Sequence, residues 1–149
     1  MAVVQVTASV EFNFTTGPQT GMQLLAAANH KVKITEIGIS GQGVSNTDAP
    51  LNVQLLRQTT SGTCSASTEV LLDADAGVTI QTVATEDCSS EPTAGDILHR
   101  WFIHPQAGMV WVPPPGTEPI ISTIARLGVR ILDTPTAALD INLYMKWLE

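Results

Sequence analysis

The chain has 149 residues, a length that suits a single domain, and only 14% of them are charged, against roughly 25% in ordinary soluble domains. The hydrophobic share of 44% argues against a disordered chain, because disordered chains combine low hydrophobicity with high net charge. Seven Lys and Arg face 14 Asp and Glu, giving a net charge of −7 that repels phosphates, so nucleic acid is not an expected partner.

Residues 4–14 alternate between apolar and polar side chains. The even positions from Val4 to Phe14 are apolar and the odd positions from Gln5 to Asn13 are polar, which predicts a half-buried β-strand. The segment has no basic region ahead of an apolar stretch. We therefore expect neither a signal peptide nor a membrane anchor, and no membrane partner.

A short helical turn is predicted next, because Thr20 and Gln23 have the spacing of a capping box before LLAAAN. The apolar parity then changes within Lys31 to Ser40, which predicts a strand with a bulge near Glu36. A loop is predicted over 41–50. Further strands are predicted over 51–58, 69–72, 77–83, 97–104, 109–112, 127–131 and 139–147, with a turn of hairpin length between the last two.

About eight short strands at these intervals predict an all-β fold. We expect one domain over residues 1–149, a jelly-roll-like antiparallel β-sandwich with one short helical turn. Trp101 and Trp147 fall on the apolar parity of their strands and are expected in the core. Cys64 and Cys88 lie in polar, loop-like stretches, where free thiols and a disulfide between two loops both remain open.

No group of residues in the sequence forms a catalytic or metal-binding pattern. His99 and His104 are five residues apart, which puts them on opposite faces of an unbroken strand, so they should not share a metal ion. Asp73 and Asp75 begin like a calcium loop, but Ala84 stands where such a loop places Glu. Neither a nucleophile elbow nor a phosphate-binding loop is present. We expect no enzymatic activity, no cofactor and no metal.

The whole net charge falls within one central segment. No Lys or Arg lies between Arg57 and Arg100, and the remaining acidic residues balance the basic ones. An acidic edge in solvent and an acidic face that docks on a basic partner both explain this pattern. The acidic residues of the segment are Glu69, Asp73, Asp75, Glu86, Asp87, Glu91 and Asp96.

A tryptophan beside three prolines forms a candidate interface. Trp111 can anchor a contact, and Pro113, Pro114 and Pro115 favour a stiff polyproline ridge. A loop that caps the end of the sandwich is the alternative. Arg100 and Arg126 complete the set of candidate interface residues.

Four stretches of the chain carry a family resemblance. HKVKITEIGISGQG, APLNVQLLRQTTSGT, EPTAGDILHRWFIHPQAG and the ending RLGVRILDTPTAALDINLYMKWLE are similar to small β-sandwich structural proteins of tailed phages, some of which resemble capsid decoration, or cement, proteins. The resemblance spans roughly residues 22–149 and contains structural motifs only, so no interface residue is transferred from it.

The resemblance implies a non-enzymatic virion protein on the outer surface of the capsid, assembled in the host cytoplasm. It implies a jelly-roll subunit, commonly a homotrimer, that binds the major capsid protein at threefold or quasi-threefold positions and reinforces the shell against internal DNA pressure. The alternative is a tail, fibre or head-associated module that recognises host carbohydrate through exposed aromatic side chains.

Overall fold

The structure, a computed structural model, describes residues 3–42 and 50–149, so most of the predicted loop over 41–50 lies outside the described residues. The described chain forms two antiparallel sheets packed face to face, as predicted. The strands are β1 (Gln5–Phe14), β2 (Gln19–Leu25), β3 (Val32–Gln42), β4 (Leu51–Gln58), β5 (Thr63–Ala66), β6 (Val70–Leu71), β7 (Val83–Ser90), β8 (Ala94–Ile103), β9 (Met109–Trp111), β10 (Ile120–Ile121), β11 (Arg126–Ile131) and β12 (Leu139–Leu148).

The strand order is that of a jelly roll with an insertion. The first sheet runs β10-β3-β12-β1-β6, with β9 also paired to β3, and the second runs β5-β7-β2-β11-β4-β8. Without β5, β6 and β7, the sheets reduce to β1-β12-β3-β9/β10 and β2-β11-β4-β8, the two four-stranded sheets of a jelly roll. Seven of the eight jelly-roll positions were predicted as strands, and the eighth, β2, was predicted as helix. The insertion lies between β4 and β8 and contains the predicted strands over 69–72 and 77–83.

Alternating apolar residues of both sheets fill the space between them. β1 and β12 pair along their full lengths, and every second side chain of each is buried. The predicted bulge near Glu36 is confirmed, because Lys146 pairs with Glu36 and the next residue, Trp147, pairs with Ile34. Trp147 is fully buried, as predicted, but Trp101 lies at the edge of the core and is only partly buried.

The predicted helical turn is wrong, because the segment forms strand β2 and the described residues contain no helix. Met22 and Leu24 point into the core, and Gln23 donates to Gln58 on the outer face of the second sheet. Thr20 does not cap a helix: its amide and hydroxyl both donate to the carboxylate of Glu91. Contacts with distant residues therefore override the local capping signal.

Two further expectations about the strands differ from the structure. The strand predicted over 77–83 begins only at residue 83, as the first residue of β7. The largely polar β7 pairs with β2 on one side and β5 on the other. The turn between β11 and β12 does not close a hairpin, because β11 lies in the second sheet and β12 in the first. Alternation within each strand gave no signal of which sheet the strand joins.

A buried polar network holds the insertion to the outer face of the second sheet. The amide of Gln23 donates to Gln58 at 2.6 Å and to the carbonyl of Thr60 at 3.1 Å, and Gln58 donates to Thr20 at 2.8 Å. Thr20 in turn binds Glu91, at the far end of the insertion. These hydrogen bonds attach both ends of the insertion to the second sheet. They also give the buried side chains of Thr20, Gln23 and Gln58 hydrogen-bond partners.

Candidate functional site

The two sheets have free edges on the same side of the sandwich. Among the described strands, β8 pairs only with β4, and β9 pairs only with β3. Trp101 of β8 and Trp111 of β9 join these edges, with ring centroids 5.3 Å apart. We call this region the β8–β9 side; it comprises His99, Arg100, Trp101, Phe102, Val110, Trp111, Val112, Pro114 and Pro115.

Three aromatic rings close the gap between the two edges. His99 stacks on Trp101 at 5.5 Å with an interplanar angle of 15° and lies 4.7 Å from Trp111. A bulge at Leu98, the extra residue between the partners of Leu55 and Leu56, sets the position of His99. His104 is not part of this cluster; its Nδ1 accepts the amide of Gln106.

Three outward positions on or beside the edge strands carry exposed apolar side chains. Phe102 is 74% exposed, Val110 64% and Val112 60%, although each belongs to or adjoins a strand whose alternate residues pack inward. Phe102 lies on the outer face of the second sheet and Val110 on that of the first, on either side of the aromatic rings that join the two edges. The sequence contained a signal for Phe102, because placing Trp101 and Ile103 on the inner face leaves Phe102 on the outer one.

The three prolines do not form a continuous ridge. Pro113 is buried, and Pro115 with Gly116 occupies the centre of a turn in which Thr117 donates its amide to the carbonyl of Pro114 at 3.0 Å. Gly116 has φ of 88°, which suits glycine at the third position of a turn that follows proline. Only Pro114 and Pro115 are exposed, beside Trp111.

The two candidate arginines lie on different surfaces. Arg100 is exposed on β8, between His99 and Trp101, and has no ion-pair partner among the described residues. Arg126 begins β11 and lines a groove at one end of the second sheet, apart from the aromatic cluster. The structure therefore brings five of the six candidate interface residues to the β8–β9 side or directly beside it.

The acidic residues of the central sequence segment lie mainly in the insertion, along the sheet edges opposite the β8–β9 side. Six of the seven lie between β4 and β8, and Asp96 is on β8 itself. Three of them bind other parts of the fold: Glu69 accepts the amide of Ala84, Asp87 accepts the side chain of Gln19, and Glu91 accepts Thr20. Cys64 of β5 and Cys88 of β7 form a disulfide within this edge, in strands and not in loops.

An ionic group lies on the outer face of the first sheet. Glu36 accepts the hydroxyl of Tyr144 at 2.6 Å and the ammonium of Lys146 at 2.9 Å. The hydrogen bond from Tyr144, followed by that from Lys146, lowers the pKa of Glu36. The same bond to Glu36, with burial, raises the pKa of Tyr144 to about 12, so Tyr144 remains a neutral donor at physiological pH.

A second polar group lines a cavity of about 370 Å³ at one end of the sandwich, formed in part by Val4, His30 and Gln81. The carboxylate of Glu149 accepts the amides of Gln81 at 2.8 Å and Thr82 at 3.1 Å, and His30 Nε2 lies 4.0 Å from it. Burial acts to raise the pKa of Glu149, but hydrogen bonds from Thr82, Gln81 and Trp147 outweigh it and lower the pKa.

Within the described ranges, no three His, Cys, Asp or Glu side chains are grouped so that they could hold a metal ion. The same residues contain no helix long and apolar enough to span a bilayer. The clearest site is therefore the β8–β9 side of a jelly-roll sandwich, a surface suited to binding. The chain matches no protein-family model, no curated protein and no solved structure.

Proposed function

We propose that this chain is a non-enzymatic decoration protein that binds the outer face of a tailed-phage capsid and stabilises junctions between capsomers. The proposal starts from the resemblance of residues 22–149 to small phage structural proteins. The observation that carries it is the uneven distribution of surface chemistry. The exposed Phe102 and the partly exposed Trp101 and Trp111 lie on the β8–β9 side. Most of the excess acidic residues lie in the insertion along the opposite edges, together with the exposed Val70, Leu72 and Val83.

In this proposal the β8–β9 side rests on the major capsid protein and the acidic edge faces solvent. Phe102 and Trp111 supply the apolar contact area, since aromatic residues carry much of the binding energy of protein interfaces. Arg100 supplies a positive charge that has no partner among the described residues. Several subunits bound together, as in the expected homotrimer, would turn weak single contacts into tight attachment.

Binding to capsids that lack the protein tests the proposal. Purified protein should cosediment with expanded heads of the phage that encodes it, and should raise the temperature at which those heads break. The variant Phe102→Asp should weaken binding by more than about tenfold, because it places a charge in the centre of an apolar contact. Phe102 is 74% exposed, so the variant should fold normally.

Ser9→Asp is the matched control. Ser9 is exposed on β1, in the other sheet from Phe102, and the variant adds the same charge. It should bind heads as the unmodified protein does. Equal binding by Phe102→Asp and Ser9→Asp would reject the β8–β9 side as the capsid contact, and absence of binding by the unmodified protein would reject the function.

A carbohydrate-binding module on the tail, fibre or head is the second candidate. The stacked His99 and Trp101 rings, with Trp111 beside them, form the kind of aromatic surface on which sugar rings can stack. This candidate predicts that glycans of the host surface bind the protein and quench its tryptophan fluorescence. It also predicts that Trp101→Ala loses this glycan binding.

A further inference from the structure

A groove of about 490 Å³ lies at one end of the second sheet, away from the aromatic cluster. Its walls are mostly aliphatic, and its one charged lining residue is Arg126. Val83 is 49% exposed there and Ile124 is 70% exposed. We call this the Ile124 groove; its lining includes Leu25, Ala27, Val83, Ile124 and Arg126.

Ile124 has a conformation that disfavours its residue type. It is the third residue of the turn 122–125, which is closed by a 3.0 Å hydrogen bond from the amide of Ala125 to the carbonyl of Ser122. Its φ of 56° is left-handed, a region that glycine or asparagine occupies readily and a β-branched residue does not. Because the side chain is also mainly exposed, the subunit alone gains little packing in return for this strain.

The chemistry of the groove defines what fits it: an aliphatic side chain beside a carboxylate. The chain itself exposes such a pair where β6 leads into its following turn. Leu72 is 48% exposed, and Asp73 follows it. Among the described residues, the carboxylate of Asp73 accepts only the amide of Asp75. We call Leu72, Asp73 and Asp75 the acidic corner.

The acidic corner and the Ile124 groove lie at the same end of the sandwich but line different cavities. Val4 lines one cavity together with Leu72 and Asp73, and a second cavity together with Gln81. Gln81 also lines the Ile124 groove. A head-to-tail contact between identical subunits joins two unlike patches and can close into a ring, and the acidic corner and the Ile124 groove are two such unlike patches.

We propose that the Ile124 groove receives Leu72 and Asp73 of a second copy of this chain. Leu72 packs against Ile124 and Val83, and the carboxylate of Asp73 pairs with the guanidinium of Arg126, which has no other ion-pair partner among the described residues. This contact concerns assembly of the subunit with itself, and it does not depend on binding to a capsid.

The molecular mass of the purified full chain in solution, measured by sedimentation over a range of concentrations, tests the contact. The unmodified protein should self-associate, and less strongly as salt rises. Arg126→Asp and Asp73→Arg should each weaken association more than about tenfold, and the double variant should recover it, because it restores the opposite charges across the contact. Asp73→Asn removes the charge but keeps an oxygen that can accept the amide of Asp75. Weaker association in this variant would therefore come from the lost charge and not from a disrupted turn.

The variant Ile124→Asn distinguishes an effect on self-association from an effect on folding stability. It relieves the left-handed strain, so the melting temperature measured where the protein is monomeric should rise by about 2–4 °C, while self-association should fall. Phe102→Asp is the control: it should self-associate normally even where it fails to bind heads. A protein that stays monomeric up to about 1 mM, or charge variants that associate as the unmodified chain does, would overturn the proposal.

Discussion

At the scale of single residues, Glu149 connects distant parts of the chain through its carboxylate. Its side chain is 3% exposed and accepts the backbone amides of Gln81 and Thr82, and its own backbone pairs with Val4. It thereby ties the segment that leads into β7 to the end of the first sheet. A buried amide that loses its acceptor costs about 1–3 kcal/mol, so this one carboxylate has a measurable effect on stability.

The pH dependence of unfolding tests this role. The pKa of Glu149 is lower in the folded protein than in the unfolded chain, so its stabilisation is complete above the unfolded pKa and is lost as pH falls through the folded one. Stability should therefore decline below about pH 4. Glu149→Gln should lower the free energy of unfolding by about 1–3 kcal/mol at pH 7 and reduce the acid-induced decline. An unchanged slope in the variant would contradict the assignment.

Ile124 and Phe102 illustrate what single residues reveal before and after the fold is known. Phe102 could be assigned to the outer face from alternation along β8. The exposure of Ile124 could not be assigned, because it depends on a turn between the two sheets and on the left-handed conformation at its third position. Local sequence patterns report the face of a strand and do not report such turn conformations.

At the scale of elements, the strands that were predicted best are β1 and β12, in the centre of the first sheet. β1 and β12 pair with neighbours on both sides and bury every second residue, so hydrophobic alternation describes them fully. β2 was predicted as helix, since its polar residues bind partners elsewhere in the chain, such as Glu91. The strand predicted over 77–83 was placed too early, because the true strand, β7, is mainly polar and buries only Ala84 and Cys88.

The disulfide between β5 and β7 should act mainly on the insertion. It joins residues 24 apart, for which the entropy of the closed loop gives about 3 kcal/mol. Replacing Cys64 and Cys88 together by serine should reduce amide-exchange protection in β5 and β7, while β1 and β12 stay protected until global unfolding. Ser65→Ala is a suitable control beside Cys64. Uniform loss of protection across both sheets would contradict a local role for the bond.

At the scale of the whole molecule, the insertion accounts for the chain's unusual charge. The eight jelly-roll positions are nearly balanced in charge, and most of the excess acid residues lie between β4 and β8 along one pair of sheet edges. The sequence located this acidic segment but could not orient it. Its position opposite the aromatic edges depends on strand order, which alternation does not encode.

A reconstruction of the phage particle tests the central claim most directly. The proposed function predicts density for this chain on the outer face of the head at junctions between capsomers, with Phe102 and Trp111 against the major capsid protein and the acidic insertion toward solvent. Density for the chain only on the tail or fibres, or on the head with the acidic insertion against the shell, would contradict it.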